Sequence, residues 1–301
     1  MSNARAALFI LLSAVCFSTL GIFTVIATDS GTPLPTVLAG RYLVAAVLLF
    51  AIARRAALVR RAVALRIVAA GLGQAVIAFT ALSSLRFITV ATMVFLFYTY
   101  PAWTAVLAVI RGTEKLDARH VGALALALGG TAVMVGSPWS AQMDWRGVAL
   151  ALTSAVLFAI YVAAIARLQR DVNPTATSAF VCTGAGTAFI LGGAVAGAHD
   201  LTLAPEAILS ILGLAVVCTT IGFILFLKGL AVLGPVRTAI MSTIEPFSAA
   251  VLGWLILGQP FRTPTIAGGV MIAAAVLLLL TSTRVAIEPQ GFRERSGPYI
   301  S

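Results

Sequence analysis

Long apolar runs, broken only by short polar or glycine- and proline-containing stretches, repeat along the whole chain. They divide it into ten candidate helices at about 6–27, 34–53, 65–85, 87–110, 119–137, 146–167, 174–196, 207–229, 235–257 and 263–284. A helix needs roughly 20 apolar residues to cross a hydrocarbon layer about 30 Å thick. Ten crossings therefore use about 200 residues. Lipid offers no partner for free backbone N–H and C=O groups, so runs of this length must be helical. The short alternating segments of a membrane barrel are absent. The pattern predicts an all-α integral membrane protein.

Composition agrees, with 60% hydrophobic and 10% charged residues in 301 and a mean hydropathy of +1.06. A water-soluble chain is excluded. The net charge of +10 does not point to nucleic acid, because the basic residues punctuate apolar runs and do not gather on one solvated face. Placing the N-terminus in the cytoplasm puts 16 of the 20 Lys and Arg on that side, 3 on the other and Arg41 within a span. By the positive-inside rule both termini are expected to be cytoplasmic. The first run, 6–27, is too long for the apolar core of a signal peptide and is kept as a span. Cys16, Cys182 and Cys218 lie far apart in apolar runs, and His120 and His199 fall at run ends, so neither a metal site nor any cofactor is expected.

An internal repeat sets the domain organisation. Ser13-Ala14-Val15-Cys16-Phe17 aligns with Ser154-Ala155-Val156-Leu157-Phe158, and Pro101 in the fourth span with Pro246 in the ninth. The halves are taken as 1–140 and 141–285, followed by a polar tail, 286–301. Five spans per half is an odd number, so the second half enters from the opposite face, giving two inverted repeats around a midplane site.

The five-plus-five layout, Arg41-Tyr42 early in the second span, and Glu245-Pro246 in the middle of the run 239–258 resemble the EamA-type members of the drug/metabolite transporter superfamily. The resemblance covers the chain to about Arg284. It implies export of amino acids and related metabolites through a pocket between the halves. A Gly-Glu pair is common in that family where this chain has Gly258-Gln259, while Glu114 retains the acid in the first half.

Two charges lie inside spans. An ionised side chain near the bilayer centre costs ~3 kcal/mol on insertion scales, so each should face protein or water. Arg41, about 10 Å into the second span, is either an anchor for a substrate carboxylate or phosphate, or a snorkelling or helix-pairing arginine that fixes that span. Glu245 is deeper and must be paired, hydrated or protonated; it could bind an amine, carry a proton, or satisfy backbone groups freed by Pro246. Overlaying the halves places Phe97, Tyr100 and Trp103 on Ser242, Glu245 and Ser248. An aromatic wall in one half would then face an acidic, hydroxylated wall in the other. Gln74 and Tyr161 add polar atoms at similar depth, whereas Ser18 and Thr219 are expected to bond their own backbone. Pro101 and Pro246 are the candidate hinges. Gly129-Gly130 and Gly268-Gly269 read as packing positions, and Gly193 with Gly197 as a small-residue face that could support a homodimer, although a monomer is expected.

The expected partners are thus a small-molecule substrate and membrane lipid, in a bacterial inner membrane. A secondary transporter working by alternating access, with aromatic or bulky apolar amino acids favoured, is the leading reading. A channel or receptor is the alternative, but gives no reason for inverted halves with matching prolines. An intramembrane enzyme would need a nucleophile with a base in reach, and the chain has no Gly-x-Ser-x-Gly and no histidine in the interior of a span, His120 and His199 both falling at run ends.

Overall fold

The computed structural model describes residues 2–114, 116–136, 144–200 and 202–282. The expected half boundary at 140 and the tail 286–301 lie outside them. Among the described residues ten helices are long and apolar enough to span: Asn3–Asp29, Leu34–Ala57, Arg61–Ser84, Val90–Ile110, Ala118–Val135, Trp145–Leu168, Pro174–Val195, Pro205–Leu233, Pro235–Ile256 and Thr263–Thr281, here spans 1 to 10. The fold is an all-α membrane bundle. Ten crossings return the chain to the side on which it began.

Helix starts follow local chemistry. Asp117, Asp144 and Asn173 each accept an amide of the first turn that follows, opening spans 5, 6 and 7. Proline opens spans 7, 8 and 9, where its missing N–H costs nothing.

The packing repeats the sequence symmetry. Span 2 lies against span 7 and span 5 against span 10; span 3 packs on span 6 as span 1 packs on span 8, and span 4 on span 6 as span 9 on span 1. Exchanging the halves leaves this set unchanged, as two five-helix units around a pseudo-two-fold axis require. Glycines set the closest crossings. A Cβ on Gly71 of span 3 would fall 2.2 Å from the Val181 carbonyl oxygen, and one on Gly268 would fall 2.3 Å from that of Gly130, so spans 3 and 7, and spans 5 and 10, touch backbone to backbone. Gly193 instead lies under the ring of His199, a contact within the chain.

Apart from the 3₁₀ turn Arg54–Ala57 that ends span 2, four spans depart from a continuous α-helix along their length. Span 4 breaks at Tyr98–Thr99 and span 9 at Thr243, just before the two prolines. Span 1 breaks at Thr19, and span 8 widens to a π-helix over Leu214–Ile221. At three of the breaks a threonine hydroxyl turns back to a carbonyl three residues earlier: Thr19 to Cys16 at 2.7 Å, Thr99 to Leu96 at 2.6 Å and Thr243 to Ile240 at 2.7 Å. The hydroxyl replaces a backbone partner that lipid cannot supply. All four irregular spans meet at the middle of the bundle.

Candidate substrate site

Each irregular span delivers side chains to one central cavity of about 210 Å³. Phe17 and Leu20 flank the break in span 1, Phe97 and Tyr100 that in span 4, and Ser242 and Glu245 that in span 9; Phe223 and Phe226 follow the π-helix of span 8. Arg41, Gln74, Phe158 and Tyr161 complete the lining from spans 2, 3 and 6. Pro101 and Pro246 cannot donate to the carbonyls four residues earlier, which belong to Phe97 and Ser242. The helix interruptions therefore free backbone acceptors at two residues of the cavity wall.

Arg41 does not snorkel. It is 4% exposed, and its Nε donates to the Thr219 hydroxyl at 2.7 Å. Thr219 in turn donates to the Leu214 carbonyl at 2.9 Å, five residues back, a reach that fits the π-helix there. The guanidinium carbon also sits 4.7 Å from the centroid of the Tyr42 ring, which stacks on Phe189 at 5.7 Å. Spans 2, 7 and 8 thus hold the charge in place. Glu245, from span 9, has the Tyr98 hydroxyl within hydrogen-bonding reach and feels the Arg41 charge. Among the described residues the acid and the arginine form no direct ion pair within 4.0 Å. Arg41 and Glu245 thus line one cavity without pairing directly.

Two further polar atoms lack partners. The amide oxygen of Gln74 and the hydroxyl of Tyr161 are buried with no hydrogen bond. An unsatisfied buried polar group costs roughly 1–3 kcal/mol, so its presence calls for an explanation. The rest of the wall is aromatic. Tyr100 and Phe158 meet edge to face at 4.7 Å, Phe158 lies 5.9 Å from Tyr161, and Phe17 contacts Phe223 and Phe226 at 5.6 and 6.0 Å.

Seven of the nine residues singled out from the sequence come together here: Arg41, Gln74, Phe97, Tyr100, Tyr161, Ser242 and Glu245. Trp103 and Ser248 do not. Trp103 is 38% exposed, and the Ser248 hydroxyl donates to the Ile244 carbonyl at 3.1 Å. A three-residue step turns a helix short of a full circle by about 60°, so the last member of each trio has drifted about 120° from the first. The expectation of one aromatic and one acidic half also needs correction. Phe158, Tyr161, Phe223 and Phe226 place much of the aromatic wall in the second half. The signal for two missed residues lay in the repeat itself, since Phe17 and Phe158 close its two aligned segments. Tyr98, beside Glu245, carried no signal beyond its depth.

A model of the EamA-like transporter family matches residues 4–136 and again 145–281. The chain belongs to that family. Its two matched segments are the two halves that the contacts relate. Two relatives of this EamA-like protein are each 28% identical: an uncharacterized inner membrane transporter, YicL, of Salmonella typhimurium, over 54% of this chain, and an uncharacterized transporter of Archaeoglobus fulgidus, over 63%. The aligned stretches span 54% and 66% of those relatives' own lengths. A crystal structure at 16% identity superposes with a TM-score of 0.80 over 94% of this chain and 99% of the other, a likeness of fold.

Proposed function

We propose that this EamA-like transporter carries amphipathic zwitterions, chiefly amino acids with aromatic or bulky apolar side chains, out of the cell by alternating access. The observation that carries the reading is the pairing of Arg41 and Glu245 across an aromatic cavity without a bond between them. A substrate carboxylate reaches the guanidinium, an ammonium group reaches Glu245, and an apolar side chain packs on the rings. Gln74 and Tyr161 supply further polar contacts. At about 210 Å³ the cavity falls below the range of ~300–1,000 Å³ usual for drug-sized ligands, which suits a small metabolite.

Pro101 and Pro246 are the hinges in this reading, because each sits beside a helix break at the cavity wall. In this reading both termini are cytoplasmic and the membrane is a bacterial inner one; the excess of Lys and Arg on one side supports the orientation. The cavity lining comes from a single chain, which supports a monomeric transporting unit.

Proteoliposomes preloaded with labelled amino acids test this. Saturable efflux that unlabelled substrate on the opposite side accelerates is the expected result, with aromatic amino acids preferred over glycine. Current that rises linearly with voltage and does not saturate would instead make the protein a channel.

A further inference from the structure

The end of the bundle at which span 1 begins and span 10 ends, here the terminus side, holds a second cavity of about 180 Å³. Its lining shares no residue with the central one, yet it continues along the same helices. Thr104 lies one turn beyond Tyr100 on span 4, and Ala163 just beyond Tyr161 on span 6. Arg111, Glu114, Arg167 and Arg170 line it as well, and so do Gly234 and Pro235, where span 9 begins. The cavity therefore lies along these helices between the central cavity and the terminus side.

The start of span 9 is tied across the two halves. Spans 5, 6 and 7 cap their own first turns, but Pro235–Ser242 follows Gly234 and has no side-chain cap of its own. The carboxylate of Glu114, from the loop between spans 4 and 5, stands there in its place. It faces the backbone N–H of Val236, and its Oε1 is 3.0 Å from where a Cβ on Gly234 would lie. Gly234 also has φ +77°, so glycine is required both by conformation and by the acid above it. A second tie runs beside the first: Arg237 of span 9 donates from Nε to His120 Nε2 at 3.3 Å, and His120 Nδ1 is 2.6 Å from Asp117.

The opposite end is built differently. The position related to Glu114 holds Gln259, whose side chain folds back over Gly253 of its own half. The related helix start, at Val90, uses its own Thr89 hydroxyl, which accepts from the Thr92 amide at 3.2 Å. Among the described residues, a carboxylate set against the related helix start of the other half occurs at the Glu114 end and not at the Gln259 end.

We propose that Glu114 is a latch. By capping span 9 from the opposite half it keeps the terminus-side path to the central cavity closed, and its release is the step that opens this end. Glu114 is a positioning residue and does not touch substrate. The inference rests on the transporter reading only in requiring that this end open.

The test reads access and needs no substrate. With Cys16, Cys182 and Cys218 replaced by serine, a single cysteine at Ala163 is labelled by a membrane-impermeant maleimide offered from the terminus side, at one fixed pH. Glu114→Ala should speed labelling about fivefold, the scale of losing one helix cap. Glu114→Gln, whose amide oxygen still accepts from Val236, should restore the slow rate. A cysteine at Ser83, lining a groove at the other end of span 3, should react from its own side at the same rate in all three proteins. Equal rates at Ala163, failure of Glu114→Gln to rescue, or equal acceleration at Ser83 would each overturn the latch. Absence of amino-acid flux would overturn the substrate reading and leave this one standing.

Discussion

Glu245 and Arg41 could be singled out from the sequence because charge inside a span is costly enough to need a reason. Their surroundings could not be. The Thr219 hydroxyl that holds Arg41 is 178 residues away, and only folding brings it within 2.7 Å. Glu245→Gln keeps the shape and removes the charge; it should lower flux at least a hundredfold while the detergent-solubilised protein still elutes as one symmetric peak. Flux at the parent level would remove Glu245 from the site. Thr219→Val leaves a buried guanidinium donor without its acceptor, worth ~1–3 kcal/mol, and should weaken substrate binding by about tenfold or more in an equilibrium binding titration. The positions of Tyr100 and Trp103 separate two readings of the aromatic stripe. Tyr100→Ala should raise KM for aromatic substrates, and Trp103→Ala should leave it unchanged in the same flux assay.

The boundaries of the spans follow from their composition, and observed ends fall within a few residues of those expected, because caps and prolines act locally. Breaks in spans 4 and 9 had a sequence signal in Pro101 and Pro246. Those in spans 1 and 8 had none, since a threonine within an apolar run reads as ordinary helix until its hydroxyl turns toward a carbonyl. Pro101→Ala or Pro246→Ala returns an amide donor to the carbonyl of Phe97 or Ser242. Each should hold or raise the thermal midpoint while slowing flux; a lower midpoint with unchanged flux would deny the hinge. At the start of span 5, Asp117 caps the His120 amide at 2.9 Å, and that bond holds its carboxyl below the usual range. A depressed carboxyl contributes stability above its unfolded value and loses it as pH falls through the folded one. Asp117→Ala should therefore cost about 1 kcal/mol near neutral pH, and the difference from the parent should shrink as the solution is acidified. Glu114 behaves oppositely. Burial raises its pKa, against the pull of the Val236 amide, His120 and Arg237, so the folded protein holds that proton more tightly than the unfolded chain.

Across the whole molecule, helices of the two halves alternate around the cavity, and the crossings with the closest backbones carry glycine. Gly268→Leu would drive a side chain into the Gly130 carbonyl and Met134. It should destabilise the chain well beyond the 1–3 kcal/mol usual for overpacking, because backbone cannot repack as a side chain does; the measurement is recovery of folded protein after solubilisation. The sequence by itself determined the number and extent of the spans, the internal repeat, the two charges that needed partners, and the prolines. Each of these follows from a local demand of lipid on a short stretch of chain. Tertiary structure alone decided that the four interrupted spans meet, that the aromatic lining draws on both halves, that Trp103 and Ser248 lie outside the cavity, and that the Glu114 carboxylate lies against the start of a helix it does not belong to. Those outcomes depend on rotation and contact between helices more than a hundred residues apart, and an apolar helix face carries little record of which partner it will meet.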